Sequence, residues 1–447
     1  MFELADLLRD AVESGEWSAL RERLADAAVL DSSSEAGRRR IEGADAIVQH
    51  LSAPGPGEVA VWDAQEWDSG VAVTFEWHGE SGADRRRWYV RADAGHVTEI
   101  WSTAARPDEA GDGSLPIAPE ALLKKLGATR VMPLTHGGNS GAALLRAEGD
   151  GGSFILKRVG GGGSDWLARA TGDEGRTAQL YEAGAFGRMP ESIGHGIVGV
   201  EREGDAAWVA MNDVGSLLLP GAARLSREES RRILAAAADL HGEFRGEITP
   251  GAATLAARIG MSSPAIGEAE RNQPDLLPKQ FEQGWDAFGE LVSDDVADVV
   301  LALASDVRPL ADALVGAYGN TTLIHGDLRG DNLGFDGERL VLIDWDLAAA
   351  GTPGAEFAWY LAHSARRIDA DHDEIELDHV AAQADAHSLP EHELGMVSGL
   401  VQYGWRIAHS ARINADPAET AWGRAELDWW EPRVRLALER EGSRISS

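Results

Sequence analysis

The 447-residue chain contains no cysteine, which excludes disulfides, thiolate zinc sites and cysteine nucleophiles. Cations are scarce as well: 41 Lys and Arg face 74 Asp and Glu, a formal net charge of −33. A surface of that sign repels nucleic-acid phosphates and anionic membranes, so neither is expected as a partner. The dense basic patches, Arg38 to Arg40 and Arg85 to Arg87, read as solvated loop or strand-edge charge. Long apolar runs are missing; none approaches the ~20 residues of a membrane-spanning helix. The start, MFELADLLRD, is amphipathic and acidic, unlike a secretion signal, and a cytoplasmic location is the expectation.

What the chain does have is 44% hydrophobic residues, enough at this length for two or three domains with cores of their own. Residues 1–104 form one α+β unit in this reading. FELADLLRDAVES, WSALRERLAD and ADAIVQHLS have helical spacing, whereas VAVWDAQEW, VAVTFEWHG, RRRWYVRAD and HVTEIWST alternate as strands of a curved antiparallel sheet. This order, with RRRIEGADAIVQHL leading into the third helix, resembles the nuclear transport factor 2-like fold and its polyketide-cyclase-like branch, which implies a cone of helices against a bent sheet. Trp67, Trp77, Trp88 and Trp101 lie on the strands and could line either a pocket or a dimer face, so a homodimer through this domain is one expectation. Asp31 and His78 could face such a pocket. Residues 105–117 are rich in Pro, Gly and acids without hydrophobic period and read as a linker.

From residue 118 a second plan begins: a small β-rich lobe over 118–213, then a larger helical lobe over 214–447. The first lobe carries VMPLTHGGNSGAALLRAEG as strand, glycine turn and strand, SFILKRV as a third strand with Lys157, and the helix DEGRTAQLYEAG. In the second lobe, ESRRILAAAADLHGEF is the clearest helix, and HGDLRGDNLGF at 325–335 runs into VLIDWD at 341–346. Phosphoryl transfer needs a carboxylate near the attacking hydroxyl, oxygen ligands for magnesium, a cation on the phosphates and a covering backbone. Asp327 followed five residues later by Asn332 has the spacing of the kinase pattern H-x-D-L-x-x-x-N. Asp344 follows the apolar strand LVLI, and Glu174 sits at the start of the helix after Lys157.

These residues in combination resemble the aminoglycoside phosphotransferase/choline kinase-like family over about 118–430. The resemblance implies a bilobal protein-kinase-like fold after the α+β cone domain, and an ATP-dependent (or GTP-dependent) small-molecule kinase. Asp327 is then the catalytic base or hydroxyl-orienting carboxylate, and Asn332 and Asp344 are magnesium ligands. Lys157 would neutralise nucleotide phosphates with Glu174 fixing its position, Met211 to Val214, including Asp213, would be the adenine-side hinge, and THGGNS, with Gly138 and Ser140, the phosphate-covering turn. His325 is expected to brace the catalytic loop. HGD in place of HRD, IDWD in place of DFG and no APE segment imply a small-molecule acceptor rather than a protein.

The acceptor pocket is implied to lie on EFAWYLAHSARRID and GLVQYGWRIAHSARI. Their aromatic and polar residues suit a sugar, amino sugar or aminoglycoside ring: Glu356, Trp359 and His363 on the first, Gln402, Tyr403, Trp405 and Arg406 on the second, with Asp346 nearby, which could equally bind a second metal or cap the next turn. Core packing explains the aromatics equally well. Glu356, Asp369 and Asp371 would favour an amine on the acceptor. His241 reads as a satisfied core histidine, and DADHDEIELDH as a solvated acidic helix start rather than a zinc site. Two other functions fit less of the sequence: a nucleotide-binding regulator without turnover, and a ligand-binding role centred on the cone domain.

Overall fold

In the computed structural model of the chain, the described residues are 2–34, 37–53, 58–67, 70–79, 82–93, 95–104, 118–133, 144–149, 151–160, 166–219, 223–272, 276–383, 388–414 and 416–445. The expected linker and the THGGNS turn, with Gly138 and Ser140, lie outside them.

The N-terminal unit opens with α1 (Phe2–Ser14) and α2 (Ser18–Arg23), continues through β1 (Leu24–Ser34), β2 (Gly37–Glu42) and α3 (Ala44–Ser52), and ends with β3 (Glu58–Trp67), β4 (Gly70–Gly79), β5 (Gly82–Asp93) and β6 (His96–Ala104). The sheet order is β2-β1-β6-β5-β4-β3. All neighbours are antiparallel except β1 and β6, which run parallel. The sequence reading missed β1 and β2 and expected a wholly antiparallel sheet. Period-two alternation on β4 sends Val71, Val73, Phe75 and Trp77 inward, where they meet Leu8, Leu20 and Ile47 from the helices. Trp88 packs edge-on against Phe75, ring centroids 4.6 Å apart, and donates its indole N–H to Ser102 Oγ at 3.1 Å. Trp77 and Trp88 are thus core residues of this unit, and His78 is exposed beside Glu76.

The next unit comprises α4 (Glu120–Leu126), β7 (Ala128–Pro133), β8 (Leu144–Gly149), β9 (Gly152–Gly160), α5 (Trp166–Thr171), α6 (Arg176–Glu182), β10 (Ile193–Gly194), β11 (Ile197–Glu203) and β12 (Ala206–Asn212). Five of its strands make an antiparallel sheet in the order β11-β12-β9-β8-β7. Leu122 of α4 packs with Leu145, Leu156 and Trp208 beneath it. Lys157 lies on β9, the third strand of this unit, paired with Val209 of β12 and Leu144 of β8.

The remaining chain is mostly helical: β13 (Leu225–Ser226), α7 (Arg227–Glu243), β14 (Ala253–Thr254), α8 (Leu255–Ile259), α9 (Pro264–Glu270), α10 (Leu276–Leu291), α11 (Asp294–Ser305), α12 (Arg308–Tyr318), β15 (Thr322–Ile324), β16 (Leu333–Asp336), β17 (Arg339–Leu342), β18 (Ala349–Gly351), α13 (Pro353–Ser364), β19 (Ile368–Asp369), α14 (His372–Gln383), α15 (Leu389–Arg412) and α16 (Pro417–Ile445). Helix α7 starts at a capping box, with Ser226 accepting from the Glu229 backbone and Glu229 accepting from Ser226 in return. α13 and α15 are buried nearly all round, as central helices of a large core must be. A small antiparallel sheet followed by a larger helical lobe, with the functional loops of β15–β18 beside the sheet's lysine, is the bilobal kinase-like fold.

Candidate active site

HGDLRGDN leaves the buried strand β15 and must turn sharply to reach β16. Gly326 makes that turn at φ +78°, and a Cβ there would stand 1.9 Å from the Leu347 carbonyl oxygen. Only glycine fits both conditions. His325 is fully buried; its Nδ1 accepts from the Asp327 backbone at 3.2 Å, and its Nε2 donates to the Ile343 carbonyl at 3.0 Å. It therefore ties the loop to the segment that ends in Asp344, the bracing expected of it. Burial pushes its imidazole below the ordinary value, which suits a neutral ring donating on one side and accepting on the other.

Asp327 is held from three directions. Trp359 Nε1 donates to Oδ1 at 3.0 Å, while Arg329 Nε at 3.0 Å and Asn332 Nδ2 at 2.7 Å donate to Oδ2. Burial opposes ionisation here, but Arg329 above all, with Arg258 behind it, outweighs burial and holds the carboxyl at about 2. Oδ1 has one donor among the described contacts and so retains a lone pair. Asn332 spends its amide N–H groups on the Asp327 carboxylate and carbonyl, which leaves its Oδ1 as the atom able to face a cation.

The second cluster joins the two lobes. Lys157 Nζ donates to Asp344 Oδ1 and to Asp346 Oδ2, each at 2.6 Å. Burial disfavours the ammonium, yet the two carboxylates raise its pKa above the usual lysine value. Asp344 adopts φ 65°, the one positive φ outside glycine among the described residues, a conformation aspartate tolerates better than most side chains. Asp346 also accepts from Thr177 Oγ1 of α6, and its carbonyl accepts from the buried Arg176. Asp346 is thus a bracket between lobes, which differs from the acceptor-binding role anticipated for it.

Glu174 is not brought to Lys157. Helix α6 starts at Arg176, so Glu174 sits exposed on the preceding bend, and the carboxylate turned inward is that of Asp173. Asp173 accepts from the Gly175 and Arg176 backbone at 2.9 and 2.5 Å, and burial, with Asp346 nearby, pushes its carboxyl up to about 6. At the lobe junction, Met211 is the penultimate residue of β12, while Asp213 accepts from Ser153 Oγ at 3.2 Å and pairs with Arg146 at 3.3 Å. Its carboxylate is spent on closing that turn.

The acceptor-side expectations divide. Trp359 does reach the loop, where it donates to Asp327, and His363 lies tilted between Trp359 at 3.9 Å and Tyr403 at 3.8 Å. Arg406 flanks them, bonded to Ser410 and Glu419. Glu356 does not reach the acceptor side. It is buried behind the loop, accepting from Gly326 N and from His241 Nε2 at 2.7 Å each, and His241 is the satisfied core histidine expected. Gln402 is also internal, bonded to Arg258, Ser398 and the Ala355 carbonyl, and Trp405 packs edge-on against Phe281 in the core. On two helices so deeply buried, packing claims these side chains before a ligand can.

Two residues near the loop escaped the sequence reading. Arg329 stands inside the motif, where its pairing with Asp327 across two residues could have been suspected. Arg258, buried with its guanidinium 4.0 Å over the Trp359 ring and bonded to the Gly326 carbonyl, has no local signal, because only the tertiary fold brings α8 under the loop.

No three His, Cys, Asp or Glu cluster as a metal cage among the described residues. Asn332 and Asp344 nevertheless fit magnesium, which keeps water and binds through one or two protein oxygens plus phosphates. The lysine ammonium bridging two carboxylates shows that Asp344 and Asp346 converge on a position that accepts positive charge.

A solved aminoglycoside phosphotransferase from Alicyclobacillus acidocaldarius is 16% identical, covering 76% of this chain and 99% of its own, with a TM-score of 0.41. A choline/ethanolamine kinase family protein from Mesorhizobium loti is 18% identical over 73% of this chain and 97% of its own, with a TM-score of 0.39. An NTF2-like protein of unknown function from Cytophaga hutchinsonii is 14% identical, covering 22% of this chain and 88% of its own, with a TM-score of 0.19. No curated protein matches. The profile of the phosphotransferase enzyme family matches residues 132–392, more than half of the chain and inclusive of Lys157, the HGDLRGDN segment and Asp344. This small-molecule kinase belongs to the phosphotransferase enzyme family.

Proposed function

We propose that the protein transfers the terminal phosphoryl group of ATP, or of GTP, to a hydroxyl of a sugar, amino sugar or aminoglycoside-like acceptor. The observation that carries this reading is the convergence of Lys157 on Asp344 and Asp346, 187 and 189 residues away in sequence, next to the Asp327–Asn332 pair. A purely structural ion pair has no need of a lysine on the small-lobe sheet and acids after a catalytic-type loop.

In this reading Asp327 receives the acceptor hydroxyl on the remaining lone pair of Oδ1. A carboxylate whose pKa is about 2 is a weak base, so its main contribution is alignment. It takes the proton only as the new P–O bond forms and the hydroxyl becomes strongly acidic. Trp359 and Asn332 fix the plane of the carboxylate, and Arg329 keeps it ionised. Lys157 would turn from the acids to the nucleotide phosphates, and Asn332 and Asp344 would hold magnesium, which neutralises phosphate charge when bound.

Radiolabelled phosphate transfer across sugars, amino sugars, aminoglycosides and amino alcohols tests the activity. Asp327→Asn should lower kcat by ~10²–10⁴-fold with nucleotide binding retained; near-normal kcat on the best acceptor would overturn the assignment. Asp344→Ala should abolish the magnesium dependence of nucleotide affinity, and equal affinities for both chains across a magnesium titration would remove Asp344 from the metal site.

A further inference from the structure

A lysine that acts on phosphates has to be held in place, and the glutamate expected to hold Lys157 is exposed instead. Protein kinases fix the corresponding lysine with a glutamate of the next helix. Here α6 starts after Glu174, and the residues of its first turn that are buried at the lobe junction are Arg176 and Thr177. Both meet Asp346. Thr177 Oγ1 donates to Asp346 Oδ1, the Arg176 guanidinium donates to the Asp346 carbonyl, and Lys157 Nζ donates to Asp346 Oδ2 at 2.6 Å. Helix and lysine are therefore joined through one carboxylate supplied by the other lobe.

The two acids on Lys157 are not equivalent. Among the described residues the Asp344 carboxylate has a hydrogen bond from Lys157 alone, and its side chain is 36% exposed. Asp346 is anchored at both oxygens, and its side chain is 14% exposed. Its backbone sits in a single 3₁₀ turn, Trp345–Leu347. Trp345 in that turn donates its indole N–H to the Leu342 carbonyl at 3.2 Å and packs edge-on against Phe186 and His325. A cation arriving here meets one acid that can swing and one that is fixed. Magnesium has a single bond to break at Asp344, whereas at Asp346 it would have to displace the lysine or the threonine.

We infer that Asp346 is the positioning residue of Lys157: it stands in for the missing helix glutamate, keeps the lysine when Asp344 passes to magnesium, and ties the lysine to α6 through Thr177 and Arg176. This rests on the phosphotransferase reading above and assigns a further residue to it. The turn of Lys157 toward the nucleotide is then a release of Asp344 about a retained bond to Asp346. A charge-assisted bond to a fixed carboxylate holds the ammonium in register with the phosphates, and a misplacement of about 1 Å can cost ~10²-fold in rate.

The test uses the full chain with ATP, magnesium and the acceptor it phosphorylates best. Asp346→Asn should lower kcat/KM for ATP by about 10- to 100-fold, while the magnesium concentration for half-maximal rate stays that of the unaltered chain. Thr177→Val leaves Lys157 and both acids in place and should lower the same constant by about 5-fold. Thr177→Ser, which keeps the hydroxyl, should recover most of that loss. Because Thr177 acts through Asp346, adding Thr177→Val to Asp346→Asn should cost little more. Glu174→Gln, at an exposed position, should stay within about 2-fold. A raised magnesium requirement in Asp346→Asn assigns the residue to the metal and overturns the inference. So does a normal kcat/KM for ATP in Asp346→Asn and Thr177→Val, whatever their Tm, or a loss in Glu174→Gln equal to that in Asp346→Asn. Should Asp346→Asn fail to fold, the Thr177 variants decide, and equal constants for Val and Ser overturn it. Each of these results leaves the phosphotransferase reading standing; absence of phosphoryl transfer by the unaltered chain counts against both.

Discussion

At the scale of single residues, Asp173 shows how a neighbour of the site leaves a mark on the pH dependence of the whole protein. Unfolded, its carboxyl titrates near the ordinary value of 3.8; folded, burial and then the charge of Asp346 lift it to about 6. Between those pH values the native state carries a proton that the unfolded chain has lost. Stability must therefore fall as pH rises from ~4 to ~6, and it stays reduced above. Asp173→Asn removes the titration while its amide oxygen can still accept from Gly175 and Arg176. The variant should gain roughly 1–3 kcal/mol on wild type between pH 4 and pH 7. Thermal melts of both chains at the two pH values check this, and a constant difference in Tm would show that Asp173 titrates normally. Asp327 behaves oppositely: lowered to about 2, it contributes stability that is present above the unfolded value near 4 and is lost only as pH falls toward 2.

At the scale of elements, close helix contacts set the limits of substitution. Gly423 on α16 faces α15 so closely that a Cβ would lie 2.5 Å from Ala411 N and 2.6 Å from Ile407 O. Alanine would favour the helix by ~1 kcal/mol, but backbone atoms cannot rotate aside, and parting two packed helices costs ~1–3 kcal/mol or more. Gly423→Ala should therefore lower Tm; an unchanged or raised Tm would mean that α16 slides without cost. Contacts of this kind explain which parts of the site were legible in the sequence. The Asp327–Asn332 spacing is local, and it was read directly. Lys157 was found because a lysine in an apolar strand is conspicuous. The partner of Lys157 is not legible locally because DEGR has the composition of a helix start, whereas Asp173 with Gly175 at φ 88° delays the helix to Arg176 and turns Glu174 out. Strands β1 and β2 were missed because DAAVLDSSS lacks clean alternation, and β1 is defined by its pairing with β2 and β6. Buried Glu356 and Gln402 look like pocket residues in sequence, since nothing local announces the Gly326 amide or the Arg258 guanidinium that each one satisfies.

At the scale of the whole molecule, the question is whether the N-terminal unit serves the kinase or merely accompanies it. Its hydrophobic core draws on residues from Ala5 to Ile100 and shares none with the cores of the two kinase lobes. The small-lobe core begins at Ala118 and Leu122, which pack with Leu145, Leu156 and Trp208. Each unit thus buries its own apolar surface, the condition for folding alone. A chain of residues 107–447 should therefore bind nucleotide and transfer phosphate as the full chain does. One beginning at residue 128 should melt lower, because it strips α4 from the sheet and exposes Leu145 and Trp208. Oligomeric state is a separate matter. Trp77 and Trp88, two of the aromatics that suggested a dimer face, are consumed by the internal core, so any pairing of sheets would depend on other side chains. Light scattering on the full chain and on 107–447 decides between the alternatives. A dimer that becomes a monomer on truncation assigns assembly to the N-terminal unit, whereas the same state in both chains removes it from assembly and leaves ligand capture as the role to test.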